Sequence, residues 1–311
     1  MVDVTMREPA YAKINLALHV RRRRGDGYHE LETLFAFVEN GDVLTARAAE
    51  ADSLYIVGEF ASDLQQNTPL PEGEGLGVGA PTSDIFSAAH PHPNPPPQGG
   101  GGTVFDNIIA RALTALPHAD GLAITLEKNL PVAAGLGGGS ADAGAVFRIV
   151  REMYGLPDDW MQRAVALGAD VPACVDSVTC VGRGTGTELE PVDNDLSGTP
   201  VLLVNPRVPL STGPVFRAWA SIGDGQDRGA LPGGTASEIA QQGRNDLEAP
   251  AIQLCPQIAK VLAALQATNP WLARMSGSGA TCFALYGSIE ARDAGAQAMP
   301  REWWTMAGKL R

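Results

Sequence analysis

The stretch Pro131–Gly144, PVAAGLGGGSADAG, decides how the rest of the chain is arranged. Four of the five residues in Gly135–Gly139 are glycine, which loses more backbone freedom on ordering than any other residue. The preceding Leu122–Lys128 alternates apolar and polar side chains as a strand does, and the chain from Ser140 onward has helical spacing. The apolar residues of that helix share one face: Val146, Ile149, Val150 and Met153. The sequence therefore predicts a strand, a glycine loop and a helix.

This order predicts an anion site at the glycine loop. Ser140 is a favourable N-cap residue and Asp142 suits a first helical turn, so the helix N terminus should point back at the loop. Without Cβ atoms, successive backbone N–H groups can close around phosphate oxygens. A tight turn that only packs the strand against the helix is the alternative. No GxxxxGKS or GxxxxGKT motif occurs, and Ser140 stands where a GxGxxG motif needs its third glycine.

Composition limits the classes of protein to consider. The chain has 311 residues, 44% of them hydrophobic and 19% charged, which is typical of a globular protein large enough for two domains. A formal net charge of −12 argues against nucleic acid as a partner, because nucleic-acid-binding proteins need a basic surface. No apolar run approaches membrane-spanning length, so we expect no membrane contact. The cysteines lack the spacing of a zinc site or a disulfide framework, which fits a reducing cytoplasm: Cys174, Cys180, Cys255 and Cys282.

The first strand carries two candidate site residues. Apolar side chains alternate from Ala10 to Val20, and this alternation places Lys13 and Asn15 on the same face. A lysine on a strand more often marks the solvated side, and that alternative stays open.

A basic hairpin follows this strand. Its tip, Arg21–Arg24 and Gly25–Gly27, is either a solvated turn or a screen for an anionic substrate. Tyr28 and His29 begin the return strand. These two residues either cap the hairpin or stack on and hydrogen-bond to a planar ring.

Residues 68–102 break the pattern of strands and helices. The segment is dense in proline and glycine and poor in core-forming residues, so it predicts a disordered insertion at the surface. Its histidines, His90 and His92, are interpreted as incidental rather than as metal ligands. Helical spacing resumes over 107–116 and ends at Pro117.

A second acidic candidate lies beyond the glycine loop. The spacing predicts a helix over 159–167 with Gly168 at its C-cap, followed by Asp170 in a turn before Pro172. Asp170 either forms that turn or, near a phosphate loop, acts as a general base.

The polar, turn-rich segment Val192–Pro200 predicts a domain boundary, followed by an α+β sandwich. The expected strands are 201–204, 272–275, 281–286 and 303–306, and the expected helices are 214–219, 256–266 and 290–299. Within this domain, Ser276–Thr281 is either a simple hairpin connection or a second glycine loop that braces the first.

Three separated stretches resemble the signature motifs of the GHMP small-molecule kinases. They are PAYAKINLALHV at 9–20, PVAAGLGGGSADAG at 131–144 and MSGSGATCFALYG at 275–287. Three more are similar to the branch of that family whose substrate carries a cytidyl-diphosphate group: GDGYHELETLF at 25–35, LGADVP at 167–172 and RNDLE at 244–248. Ala133 and Ala134 stand at positions that are often glycine in the family.

The resemblance implies a two-domain α+β GHMP kinase fold with the active site in the cleft between domains. Residues 1–195 would form an N-terminal α/β domain like ribosomal protein S5 domain 2, and residues 196–311 a C-terminal ferredoxin-like sandwich. The implied activity is transfer of the ATP γ-phosphoryl group to a hydroxyl of a cytidyl-diphosphate-linked methylerythritol, in the non-mevalonate route to isoprenoid precursors.

The resemblance also implies roles for individual residues. Asp170 would be the catalytic base and Lys13 its partner, and the substrate would be bound by Asn15, Tyr28, His29 and Phe216. ATP, with the Mg²⁺ it carries, would lie against the loop residues Pro131, Val132, Ala133, Ala134, Gly135, Leu136, Gly137, Gly138, Gly139, Ser140 and Ala141. No set of Mg²⁺ ligands is assigned.

Alternative functions stay open at this point. Another GHMP enzyme of the homoserine or mevalonate type would share the fold, and so would a catalytically silent nucleotide-binding relative. The cytidyl-reading hairpin argues against the first and the Lys13–Asp170 pair against the second. The expected partner is a small molecule, with no nucleic acid or membrane, and the expected state is a monomer or weak homodimer.

Overall fold

The computed structural model of the chain describes residues 5–65, 107–221 and 227–311, so the proline-rich segment 68–102 falls outside the described residues. None of the described helices is long and apolar enough to cross a membrane. In chain order the elements are β1 (Met6–Arg23), β2 (His29–Ala49), β3 (Ser53–Val57), α1 (Ala61–Gln65), α2 (Ile108–Ala115), β4 (Gly121–Glu127), α3 (Gly138–Tyr154), α4 (Trp160–Leu167), α5 (Val171–Asp176), β5 (Cys180–Arg183), β6 (Glu188–Pro191), β7 (Pro200–Asn205), α6 (Thr212–Ser221), α7 (Ala236–Gln242), α8 (Glu248–Leu254), α9 (Gln257–Gln266), β8 (Leu272–Met275), β9 (Cys282–Leu285), α10 (Ile289–Gln297) and β10 (Trp304–Lys309).

A six-stranded sheet carries the glycine loop. Its strands run in the order β3–β4–β2–β5–β6, and β1 pairs antiparallel with β2. Strand β2 is 21 residues long, so it also pairs with β5 through residues 33–35 and with β4 through residues 43–49. Helices α2, α3, α4 and α5 bury their apolar side chains against this sheet in one cluster. The glycine loop between β4 and α3 is therefore anchored at both ends in the packed layers of sheet and helices.

Helix α3 is buried on all sides along its middle, from Ala141 to Val150. The sequence predicts a single apolar face, whereas every residue from Ala141 to Val150 is buried. The reason is that α3 packs against α2, α5 and β1 at once. Arg148 is satisfied inside this packing, because its guanidinium donates to Glu8 at 2.5 Å and to the Cys174 carbonyl at 2.6 Å. That side chain ties β1 to α5 through α3.

The second sheet has the strand order β10–β7–β9–β8, and each neighbouring pair is antiparallel. Helices α6 to α9 connect β7 to β8, and α10 connects β9 to β10. This is the β-α-β-β-α-β arrangement of a ferredoxin-like sandwich, here with several helices in its first crossover. The expected fold of the C-terminal part is therefore confirmed.

Strand β1 of the first sheet contributes side chains to the core that the two sheets share. Side chains from β1 and β2 share an apolar cluster with side chains from β7 and β9. All residues from Ala12 to Val20 are buried, so neither face of β1 at this level is solvated. The pairing of β1 with β2 shifts register after Tyr11 and again after Asn15. These irregularities place Lys13 and Asn15 in one short segment between two shifts.

The predicted strands and helices are confirmed within a few residues, except that the return strand, expected over 28–38, continues to Ala49 as β2. The missed elements are all short. None of the missed elements exceeds seven residues: α1, α5, β5, β6, α7 and α8. Runs of this length contain too few repeats for a hydrophobic period to be visible.

Candidate active site

The glycine loop is held directly against β1. The backbone N–H of Lys13 donates to the Leu136 carbonyl at 3.0 Å. Gly137 has a φ of +60°, and a Cβ there would lie 2.8 Å from Cε of Lys13. Only glycine satisfies both conditions, because a side chain would be strained in this backbone conformation and would displace the lysine stem. The loop and Lys13 therefore form one structural unit.

Helix α3 starts earlier than the sequence predicts. The N-cap is Gly137 in the left-handed conformation, with no side chain to cap the helix, and Ser140 is the third helical residue. The prediction of Ser140 as N-cap is therefore wrong, because the glycines themselves adopt helical geometry. The prediction of Asp142 as a first-turn acid is also wrong, since Asp142 is buried farther along the helix and pairs with Lys128. The N terminus of α3 thus keeps N–H groups that no N-cap side chain covers.

The second glycine loop braces the first, as the sequence allowed. The Ser276 hydroxyl donates to the Gly135 carbonyl at 2.8 Å, and the Thr281 N–H donates to the Ala134 carbonyl at 3.1 Å. The Ser276 oxygen also accepts from the backbone N–H of Asn15 at 3.2 Å. These hydrogen bonds join β1 and both loops from the two halves of the chain. The interpretation as a simple hairpin connection is therefore incomplete.

Lys13 and Asp170 form an ion pair across 157 residues of sequence, with Nζ 2.8 Å from Oδ2. The lysine side chain is 5% exposed and the aspartate side chain 34% exposed. Asp170 occupies the N-cap position of α5, and that helix lies close to α3 because Gly144 has no side chain. A Cβ at Gly144 would lie 2.4 Å from the Cys174 carbonyl oxygen. The close packing of α3 and α5 thus places the Asp170 carboxylate within hydrogen-bond distance of the Lys13 ammonium.

Asn15 connects Lys13 to β2. Its Oδ1 accepts from Nζ of Lys13 at 3.0 Å, and its Nδ2 donates to the Thr33 hydroxyl oxygen at 2.8 Å. The lysine ammonium also lies 5.1 Å from the centre of the Phe35 ring, within the range of a cation–π contact. The sequence predicts Asn15 as a substrate contact, and the structure shows that both ends of its amide are engaged by protein groups. Thr33 was not predicted as part of the site.

Two predicted aromatic residues meet at the hairpin. The ring of His29, the first residue of β2, stacks on Phe216 from α6 with 4.6 Å between ring centroids. Trp219, which the sequence did not single out, packs edge-on against the same histidine at 5.5 Å. Burial, with a smaller contribution from Arg23, lowers the pKa of His29. Nε2 of this neutral ring is buried and has no hydrogen-bond partner among the described residues.

A buried charge cluster lies beneath the glycine loop, and the sequence did not reveal it. Lys128 donates to Asp42 and, at 3.0 Å, to Oδ2 of Asp142. Asp42 also accepts from the N–H groups of Asn129 and Leu130, at 2.6 and 2.8 Å. Nζ of Lys128 lies 3.1 Å from the position a Cβ would take at Gly138, so the cluster abuts the start of α3.

The pKa of Asp142 is raised to about 8, chiefly because burial disfavours its charged form. Its Oδ1 has no partner among the described groups, whereas the Asp42 carboxylate is well supplied with donors. This raised pKa favours the protonated form of Asp142 near neutral pH. Among the described residues, no group of three or more His, Cys, Asp and Glu side chains is arranged to hold a metal ion.

Comparison with known proteins places this geometry in a family. The models for the N-terminal and C-terminal domains of the GHMP kinases match residues 107–177 and 230–304. A 4-diphosphocytidyl-2-C-methyl-D-erythritol kinase from Novosphingobium aromaticivorans is 60% identical, over 99% of this chain and 94% of that protein. One from Erythrobacter litoralis is 58% identical, over 97% of this chain and 98% of that protein.

Solved structures agree with the sequence relatives. The crystal structure of a 4-(cytidine 5'-diphospho)-2C-methyl-D-erythritol kinase is 29% identical, with a TM-score of 0.70 over 98% of this chain and 99% of that one. A homoserine kinase from Cytophaga hutchinsonii, 15% identical with a TM-score of 0.59 over 100% of this chain and 96% of that one, shares the fold.

Proposed function

Because the chain belongs to the 4-diphosphocytidyl-2-C-methyl-D-erythritol kinase family of GHMP kinases, we propose that it phosphorylates 4-diphosphocytidyl-2-C-methyl-D-erythritol with ATP. The γ-phosphoryl group is transferred to the 2-hydroxyl, giving the 2-phosphate and ADP. The observation that carries this proposal is the Lys13–Asp170 ion pair, which touches the glycine loop through Gly137.

Asp170 serves as the general base in this proposal. The substrate hydroxyl must lose its proton as the O–P bond forms and the bond to the ADP oxygen breaks, and a carboxylate within hydrogen-bond reach can accept that proton. Lys13 keeps Oδ2 of Asp170 in one place, while the partial exposure of the aspartate side chain leaves room for a substrate. In this ion pair the carboxylate of Asp170 is held in place and is still accessible to the substrate hydroxyl.

Lys13 also stabilises charge on the transferred group. An ammonium has three N–H donors, and two of those of Lys13 are used by Asn15 and Asp170. No described residue accepts from the third, which is available to an oxygen of the phosphoryl group. A buried cation at this position is worth more than one in water, because the surrounding dielectric constant is lower.

The residues of the loop fit a triphosphate. Helix α3 begins without a side-chain cap, so the N–H groups of Gly138 and Gly139 can donate to phosphate oxygens. ATP is bound by Pro131–Ala141, mostly through backbone donors. The Mg²⁺ carried by ATP would neutralise phosphate charge when bound, and no protein ligand is assigned to it.

The aromatic group beside the hairpin recognises the cytosine ring. Phe216 presents a flat apolar surface that already accepts the His29 ring, and Tyr28 lies next to His29 in the chain. The buried Nε2 of His29 supplies the polar contact to the edge of the base. Asn15 contributes to the reaction by holding Lys13. We further propose that the protein is cytoplasmic and acts as a monomer or weak homodimer.

A panel of phosphate acceptors tests this function. The purified protein is incubated with ATP and Mg²⁺, and ADP release is measured with the cytidyl substrate, mevalonate and homoserine in parallel. We expect release with the cytidyl substrate, and a new phosphate monoester in the ³¹P NMR spectrum of its product. ADP release with mevalonate or homoserine, and none with the cytidyl substrate, would show that the substrate assignment is wrong.

A further inference from the structure

We propose that Thr33 is a positioning residue for this reaction. Its hydroxyl fixes the orientation of the Asn15 amide, and that amide holds the Lys13 ammonium in place for phosphoryl transfer. The inference rests on the proposed function and deepens it, because it adds a residue that touches neither substrate nor ATP. It is carried by an uninterrupted series of side-chain hydrogen bonds from β2 to the catalytic pair.

The direction of each hydrogen bond in the series is determined. Thr33 has one hydroxyl hydrogen, and it donates that hydrogen to the Ala17 carbonyl oxygen at 2.7 Å. Toward Asn15 the Thr33 oxygen can therefore only accept, and it selects Nδ2 at 2.8 Å. Oδ1 of Asn15 is then left to face the Lys13 ammonium, which can only donate, at 3.0 Å.

Burial makes this selection strict. Thr33 is 0% exposed, Asn15 is 2% exposed and Lys13 is 4% exposed. Water therefore has little access to hydrogen-bond with the amide groups of Asn15 that a flipped orientation would leave unpaired. An inverted amide would place an NH₂ group against an ammonium, in a region where unpaired polar groups are costly.

The position of Thr33 is itself fixed by the sheet. It pairs with Leu18 of β1 and with Gly182 of β5, in the middle of three strands. Loss of the Thr33 hydroxyl would therefore free the Asn15 amide to turn without moving the backbone that carries it. The expected consequence is a displaced lysine ammonium beside an intact phosphate loop.

Substitution of Thr33 separates positioning from packing. Thr33→Val keeps the shape and removes the hydroxyl, and we expect kcat to fall about 10- to 100-fold, because misplacing a catalytic group by about 1 Å can cost that much. The KM values for ATP and for the cytidyl substrate should stay within about twofold. Thr33→Ser restores the hydroxyl and should bring kcat back to within about threefold of wild type. Thr45→Val, the same change elsewhere on β2, is the matched control and should keep wild-type kcat.

A combination of variants tests whether Thr33 acts through Asn15. If it does, Thr33→Val with Asn15→Leu should have about the same kcat as Asn15→Leu alone. Equal kcat for wild type and Thr33→Val, or multiplicative losses in the double variant, would overturn the inference while leaving the proposed function intact.

The inference can also be tested without turnover. If the wild type transferred no phosphate to the cytidyl substrate, the proposed function would fail by itself. The hydrogen-bonded series would then be judged by the urea midpoints of Thr33→Val, Lys13→Met and their double variant. Non-additive shifts support the series, since the two residues do not bond to each other, and additive shifts contradict it.

Discussion

Replacing Asp142 by asparagine should remove a pH-dependent loss of stability. Burial raises the pKa of Asp142 from 3.8 to about 8, and its charged neighbours are Lys128, just after β4, and Asp42 on β2. Between these two pH values the folded protein keeps a proton on Asp142 that the unfolded chain releases. The stability from this group is therefore complete below about pH 4 and is lost as the pH rises towards 8.

The change in the free energy of unfolding with pH is set by the single proton that Asp142 holds in the folded protein. Each pH unit in that window lowers the free energy of unfolding by about 1.4 kcal/mol, so the loss between pH 5 and pH 7 is roughly 3 kcal/mol. An asparagine at this position would have no proton to hold, and its carbonyl oxygen could still accept from Lys128. The stability of Asp142→Asn minus that of wild type should therefore increase by roughly 3 kcal/mol from pH 5 to pH 7.

Urea titrations at pH 5, 6 and 7 measure this difference for the two proteins. Asp176→Asn is a suitable control, because Asp176 pairs with Arg151 at the surface and has a side chain that is 60% exposed. The control should follow the wild-type pH dependence. Parallel pH profiles of wild type and Asp142→Asn would refute the reasoning, since they would mean that Asp142 is ionised in the folded protein.

Three further variants test the catalytic site. Asp170→Asn should lower kcat by about 10²- to 10⁴-fold with an unchanged Kd for ATP by calorimetry, and near-normal turnover would exclude Asp170 as the base. Gly137→Ala should destabilise the fold by about 1–2 kcal/mol and weaken ATP binding, and the proposed fit of the loop is wrong if both the Tm and the Kd are unchanged. Phe216→Ala should raise the KM for the cytidyl substrate about 5- to 100-fold with little change in kcat, as expected for a lost stacking contact, whereas a constant KM would remove Phe216 from the base pocket.

Local sequence patterns predict the frame of the site well. The alternation along β1 and the glycine run at the start of α3 are strong local signals, and both elements form close to where they are expected, although α3 begins two residues earlier, at Gly138. Helix α5 was missed because Asp170 and Pro172 suggest a turn, although proline is equally suited to a first helical turn. The pairing of Asp170 with Lys13 is a contact between distant segments, and it was expected from the family resemblance rather than from the spacing of the two residues.

The buried polar residues are the part that the sequence does not predict. Lys128, just after β4, would be assigned to solvent from its residue type, yet it is 2% exposed and bonded to two aspartates. Thr33 looks like an ordinary strand residue. Both acquire their roles because β1, β2 and α3 are covered on both sides, so that any polar side chain there must find a partner inside. That covering depends on tertiary packing, which no local period records.

The two alanines of the glycine loop show how the second loop supports the first. Ala133 has a φ of +52°, a conformation that costs an alanine about 1–2 kcal/mol and a glycine little. The next residue, Ala134, is 5% exposed and its carbonyl accepts from the N–H of Thr281, so this part of the loop is fixed from outside. Such a contact offsets the strain at Ala133, which explains how the loop keeps its conformation without glycine at either position. The same reasoning does not extend to Gly137, where a side chain would strike the Lys13 stem and no external hydrogen bond could compensate.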